Sequence, residues 1–325
     1  MPDIDFDVLT LGETMLRLTP PNHERLEDIR LLEVRIGGAE SNAAIALARL
    51  GLRVTWVSKL PNNPLGHFTA RRIHGHGVDV SHVVWVPTAL GRMGLYFIEQ
   101  GALPRPTRVL YDRAHSAAST LSPTDVDWAI LDRVRHVHLT GITPALSATC
   151  SDTVSRAVRE ARARGCTVSF DVNYRGRLWS PNEARLALAP IIAEVDLLLC
   201  TEDDARLVFQ LEGSAQEMIR ALAALNYRQN GMVVLTRGGQ GALVWDRTRF
   251  YQASAYDVRE IDRVGAGDAF AAGFLWGYLA ADVQKGLDYG LAMAALKHTI
   301  PGDEFLATRE DVEAVLQGGL PQTAR

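Results

Sequence analysis

Ile261-Asp262-Arg263-Val264-Gly265-Ala266-Gly267-Asp268, continued by Ala269-Phe270-Ala271-Ala272-Gly273-Phe274, is the stretch that decides how this chain folds. A strand end meets a turn of small residues, and the turn opens a long apolar helix. Such a helix start presents unpaired backbone N–H groups and the positive end of the helix dipole. Gly265, Ala266 and Gly267 leave room for an anion to approach those donors, so phosphate can be held without side-chain charge. A carboxylate at Asp268 beside that hole suits a general base. It would take the proton from an attacking hydroxyl while the amides stabilise charge on a phosphoryl group in transfer. The plainer alternative is an acid that only complements the helix dipole. A dinucleotide site fits poorly, because the third glycine and a downstream ribose-binding acid are missing.

Upstream of this turn, short apolar runs alternate with helical patterns. Asn42 to Gly51 reads as a helix ended by glycine, followed by a strand at Val54–Val57. From Asp152 to Gly165, Val154, Ala157, Val158 and Ala161 recur at the spacing of one helix face. Thr167–Val172, Val195–Cys200 and Met232–Thr236 read as strands, and Thr308–Leu316 as a last surface helix. Strands alternating with helices predict a mostly parallel sheet covered on both faces, an α/β three-layer sandwich. Two stretches break the rhythm. Residues 12–36 and 83–113 read as antiparallel ribbons inserted into the α/β body, forming a small β lid that excludes water over bound substrate. The expectation is one domain over residues 1–325 with these lid segments inserted.

Composition narrows the function classes. The 325 residues are 47% hydrophobic and 22% charged, enough for a sizeable core, and a net charge of −4 offers no strong field for nucleic acid or an anionic membrane. The longest uncharged apolar stretch, Ala269 to Ala281, is too short to span a bilayer. The acidic start (Asp3, Asp5, Asp7) is the reverse of a secretory signal. Cys150, Cys166 and Cys200 are scattered and match no metal spacing, as expected of reduced buried thiols in a cytoplasmic protein. Lysine occurs only at positions 59, 285 and 297, so arginine supplies all the other basic residues and a lone arginine in a motif carries little weight.

Two further glycine clusters accompany the first. Thr236-Arg237-Gly238-Gly239-Gln240-Gly241 follows a strand and can wrap an adenine or a polyphosphate, or can simply be a hairpin loop. Ile36-Gly37-Gly38-Ala39-Glu40-Ser41-Asn42 leads into a helix; Gly38 could lie against a substrate where a side chain would clash, or Ser41 or Asn42 could merely cap the helix. No GxxxxGK[ST] is present, which excludes a P-loop kinase.

Taken together, in this order and spacing, the three clusters make the chain resemble PfkB/ribokinase-family carbohydrate kinases over nearly its whole length. Gly37-Gly38 with Asn42 matches the N-terminal family signature, and Gly265-Ala266-Gly267-Asp268 the C-terminal one. Finer matches resemble the 2-keto-3-deoxygluconate kinase branch: Gly12-Glu13, Tyr111-Asp112-Arg113, His138-Leu139-Thr140-Gly141-Ile142, and Asp171-Val172-Asn173-Tyr174-Arg175 with Leu178-Trp179. The resemblance implies a ribokinase-like fold and ATP-dependent phosphorylation of a sugar acid's terminal hydroxyl. It puts Gly38, Tyr96, Tyr111, Arg113, Arg175 and Asp268 against the sugar acid. It puts Asn173, Thr201, Thr236, Arg237, Gly238, Gly239, Gly241 and Gly265–Gly267 near ATP, with Asp204 near Mg²⁺ through water. Two arginines on one small ligand fit a carboxylate better than a neutral sugar, because each binds it through paired charge-assisted hydrogen bonds. Asp303 could face substrate or only serve its loop.

The chain departs from the family pattern at three places. An Asn-x-x-Glu box appears as Thr201-Glu202-Asp203-Asp204, Arg263 stands near the anion hole, and Asp112 stands where a second Tyr is frequent. The remaining alternatives are a kinase of a neutral sugar, such as a fructokinase or ribokinase, and a sugar-binding protein without chemistry. A homo-oligomer pairing through the exposed lid edge is also compatible with the resemblance.

Overall fold

The computed structural model describes residues 4–226, 228 and 231–318. Its centre is a nine-stranded sheet. From one edge to the other the strands are Phe250–Ala253, Ala242–Trp245, Met232–Thr236, Leu197–Thr201, Thr167–Asp171, Val134–Thr140, Phe6–Leu11, Val54–Val57 and Val78–Asp79. Every neighbouring pair from Met232–Thr236 to Val78–Asp79 is parallel, and the two pairings at the other edge are antiparallel, so that only Ala242–Trp245 runs against the rest of the sheet.

Residue alternation along the strands splits the core into two layers. Leu197, Leu199, Met232 and Val234 face one side, where the Ala39–Arg49, Ala266–Leu279 and Val283–His298 helices pack. Leu198, Cys200, Val233 and Leu235 face the other, against Ala148–Ala163, Pro181–Ile192 and Ala215–Ala224. Strands buried on both faces explain the unbroken apolar runs seen in the sequence. The Ala266–Leu279 helix, apolar all round, is almost wholly buried, as its composition requires. All three cysteines are free and buried. Among the described residues no helix is long and apolar enough to cross a membrane.

A separate four-stranded sheet has the order Glu33–Gly37, Met15–Thr19, Leu95–Glu99, Arg108–Asp112. It differs from two antiparallel ribbons in one respect: Met15–Thr19 and Leu95–Glu99 pair in parallel, which joins the two inserted segments into one sheet. Val84–Val86 does not belong to it. That strand pairs in parallel with Lys59–Pro61 in a small sheet of its own. Apolar content alone does not say which of several edges a short strand will join, because the pairing is made across long sequence separation.

Candidate active site

The parallel strands end nearly in step. Thr140 pairs with Asp171, Asp171 with Leu199, and Thr201 with Thr236, so their carboxyl ends form one rim. Ligands of open α/β sheets bind outside such a rim.

Asp268 sits above it, in the first turn of the Ala266–Leu279 helix. Its carboxylate turns inward: Oδ2 accepts a hydrogen bond from Asn42 Nδ2 at 2.7 Å, and Oδ1 makes a long contact with Asn173 Nδ2 at 3.5 Å. Burial pushes this carboxyl above its ordinary value, and the Asn42 hydrogen bond and the positive charge of Arg175 pull it back. Gly265 precedes the helix at φ +84°, a left-handed conformation, and a Cβ there would stand 2.2 Å from the main-chain oxygen of Asp303. Ala266 N–H is already donated to the Arg263 carbonyl at 3.2 Å. The open donors of the turn are therefore the N–H groups of Gly265, Gly267 and Asp268, which have no protein acceptor among the described residues. This corrects the expectation that Ala266 contributes its amide.

Two more carboxylates share the rim. Asp171 ends its strand and receives Asn173 N–H and Nδ2–H, each at 3.2 Å. Burial, then the charges of Asp268 and Asp204, push it up to about 7, against the pull of Arg175. Asp204 is raised by burial and accepts Tyr174 N–H at 3.3 Å. Asn173 itself is held at φ +41°, a conformation asparagine tolerates better than most residues. Among the described residues, no three His, Cys, Asp or Glu side chains stand at metal-ligand spacing.

The crowding at Asp171 has a thermodynamic consequence. An acid whose folded pKa lies above its ordinary 3.8 favours the fold below about pH 4 and loses that contribution as pH rises through 7. Asp171→Asn is therefore expected to raise the melting temperature of the ligand-free protein at pH 8 by about 2–4 °C, with the gap closing by about pH 4. Thermal melts of both proteins across that range check it; a gap that widens on acidification would contradict it.

Beside the rim opens a cavity of about 840 Å³, lined among others by Tyr111, Arg113, Tyr174, Arg175 and Arg177. Asp268 is not in its wall; Arg175 connects the two, lining the cavity while its charge acts on Asp268, Asp171 and Asp204. Arg175 is exposed and in no ion pair among the described residues, its guanidinium touching only the Tyr174 carbonyl at 3.4 Å. Arg113 differs. Its Nε donates to Glu13 Oε2 at 2.9 Å and its Nη2 to the same oxygen, while Ser116 Oγ donates to Glu13 Oε1 at 2.5 Å. So only one of the two expected arginines is free. Arg177, which the motif reading passed over, stands 6.0 Å from the centre of the Tyr111 ring that Arg113 also flanks.

Gly38 is required by packing, since a Cβ would meet the Glu13 carbonyl at 2.1 Å. Tyr96 is buried, stacked on Tyr111, and its hydroxyl donates to Asp303 Oδ2 at 2.7 Å rather than standing free. Thr201 Oγ1 accepts Asp204 N–H at 2.9 Å, capping the Glu202–Phe209 helix. Thr236–Gly241 is a hairpin turn whose Gly238 and Gly239 face open space. Arg237 there is tied to Glu202 at 3.0 Å and Gln240 at 2.5 Å.

The motifs missed a buried charge network. Arg17 donates to Asp262 at 2.5 Å and to Asp303 at 2.7 Å, and Lys297 lies beside both. They also missed Glu40, whose Oε1 accepts from Thr140 and Thr143 at 2.8 and 2.7 Å and which burial pushes up to about 7. The rarity of lysine was a usable signal for Lys297; nothing local marks Arg17, whose partners lie 245 and 286 residues away.

Comparison with known proteins agrees with this geometry. The family model described as pfkB family carbohydrate kinase matches residues 5–308. A 2-dehydro-3-deoxygalactonokinase of Haloferax volcanii is 42% identical over 96% of this chain and 97% of its own. A 2-dehydro-3-deoxygluconokinase of Thermoproteus tenax is 32% identical over 95% and 94%. The crystal structure of a 2-dehydro-3-deoxygluconokinase from Thermotoga maritima superposes with a TM-score of 0.88 at 36% identity, over 96% of this chain and 99% of that one. The inward carboxylate beside a glycine turn with open amides, on a three-layer sandwich whose sequence matches throughout, places this chain in the PfkB family of carbohydrate kinases.

Proposed function

We propose that the protein transfers the γ-phosphoryl group of ATP to the terminal hydroxyl of a six-carbon sugar acid, 2-keto-3-deoxygluconate, giving its 6-phosphate. The observation that carries this reading is Asp268, fixed by Asn42 beside the unpaired N–H groups of Gly265 and Gly267. The carboxylate takes the hydroxyl proton as the sugar oxygen attacks, and the amides stabilise the charge growing on the phosphoryl oxygens. Arg175 favours an acid over a neutral sugar. A guanidinium with no carboxylate partner among the described residues, at the wall of a cavity it shares with Arg113 and Arg177, suits a substrate carboxylate. Arg113, neutralised by Glu13, orients Tyr111 and adds little net charge.

Within Thr236–Gly241, whose first residue pairs with Thr201, Gly238 and Gly239 face open space and leave room for the nucleotide. Asp171 and Asp204, raised by burial with each other's charge adding to it at Asp171, suit a hydrated divalent cation, since Mg²⁺ keeps several waters and needs few direct ligands. When bound, Mg²⁺ neutralises phosphate charge. The four-stranded sheet would serve as the lid that excludes water.

A second reading concerns the sugar alone. The galactonate-derived epimer differs from 2-keto-3-deoxygluconate in the configuration of one carbon, and the 42%-identical relative is named for it. Asp112 lines the cavity and is paired with Arg92 at 2.7 Å, so a short, neutralised acid stands where a second tyrosine is frequent in the branch. ADP release measured with both epimers, aldonic acids, fructose and ribose tests the reading. Turnover confined to neutral sugars would overturn the acid assignment, and ligand binding without ADP release would overturn the kinase assignment.

Gly265→Ala follows from the same geometry. Alanine at φ +84° is strained, and its methyl would drive into the Asp303 carbonyl. The expected result is a fall of about a hundredfold in kcat/KM, read by ADP release, with ADP affinity retained. Wild-type turnover would show that the amides of this turn do not carry transition-state charge.

A further inference from the structure

Lys297 is fully buried in a chain that otherwise uses arginine almost everywhere. Its Nζ donates to the main-chain oxygen of Ile300 at 2.9 Å and lies 3.4 Å from that of Asp262. Those carbonyls belong to two different segments. Asp262 leads into the Gly265 turn, and Ile300 leads into the loop ending at Asp303, whose own carbonyl abuts Gly265. Arg17 joins the same segments through the carboxylates of Asp262 and Asp303, and Asp262 also accepts Val264 N–H at 3.1 Å and Gly302 N–H at 3.0 Å. Two cations and two carboxylates thus balance in a site shielded from water.

Such a cluster is expensive to bury, and apolar residues of similar volume would often serve stability as well. A guanidinium also holds its donors in one plane, whereas an ammonium can aim separate donors at carbonyls on two loops. We infer that Lys297 is a positioning residue for phosphoryl transfer: its ammonium clamps the Gly265 turn to the Ile300–Asp303 loop and so holds the open amides where the transferred group develops charge. The inference rests on the reading of that turn as the phosphoryl site.

The test uses the full-length protein with Lys297→Met, which keeps the stem and removes the charge. The expected result is a fall of about a hundredfold in kcat with KM for ATP nearly unchanged. By calorimetry, with the binding stoichiometry correcting for inactive protein, affinity for ADP stays near wild type. Affinity for ADP with aluminium fluoride and the sugar acid, which mimics the group in transfer, falls in proportion to kcat. Ammonium or methylammonium added to Lys297→Ala is expected to restore both, and Lys59→Met to change neither. If the methionine variant does not fold, Lys297→Arg retains the charge and should show the same selective loss. A shifted melting temperature with wild-type kcat and fluoride-complex affinity, or equal losses for ADP and its fluoride complex, would overturn the positioning role. Failure of the underlying reading looks different: Asp268→Asn and Gly265→Ala would then keep wild-type turnover.

Discussion

Asp268→Asn is expected to lower kcat about a thousandfold, roughly 4 kcal/mol of transition-state stabilisation, while leaving ATP affinity nearly unchanged. The substitution preserves size and allows the Asn42 contact to persist through the remaining amide oxygen, but it replaces a carboxylate with an amide, which is far too weak a base to take the proton of the sugar hydroxyl. Because the carboxylate stands in a half-buried site with Asp303 adding repulsion, the acid limb of the wild-type pH profile should lie above the ordinary carboxylate range. Steady-state kinetics with ADP detection, with nucleotide binding by calorimetry, settle both points. Near-normal kcat in the variant would remove the base from the scheme, and a parallel loss of ATP binding would point to a structural role instead.

Arg175→Ala should separate substrates rather than abolish catalysis. Loss of a charge-assisted bidentate contact to a carboxylate is worth about 2–3 kcal/mol, so kcat/KM for the sugar acid should fall about a hundredfold. Any residual use of fructose or ribose should change little, since these have no anion to hold. A second signature follows from electrostatics. Arg175 lowers the pKa of Asp268, Asp171 and Asp204, so its removal should move the acid limb of the residual activity to higher pH. Equal losses for acids and neutral sugars would mean the arginine supports the site without recognising a carboxylate.

The legible part of this protein is the part written in local patterns. Periodicity placed Met232–Thr236 and Val54–Val57 as strands and the last helix at its Thr308 cap, because each depends on neighbours within one or two turns. The glycine turn and its aspartate were legible for the same reason: the φ of Gly265 and the open amides are properties of six consecutive residues. The arginines were not. Arg113 and Arg175 stand in equally matched motifs, yet one is neutralised by Glu13, a hundred residues away, and the other has no carboxylate partner among the described residues. No motif shows which charge a fold will pair.

The amino-acid order alone therefore determined the layered α/β architecture and the glycine turn with Asp268 behind it, since each follows from backbone propensity and hydrophobic period over short spans. Tertiary structure alone decided which arginine is paired with a carboxylate, that Asp171 shares the rim with Asp268 and Asp204, and that Arg17 and Lys297 meet two aspartates beneath the turn. Electrostatic energy depends on distance and on exclusion of water, and both are set only when segments remote in the chain close on one another.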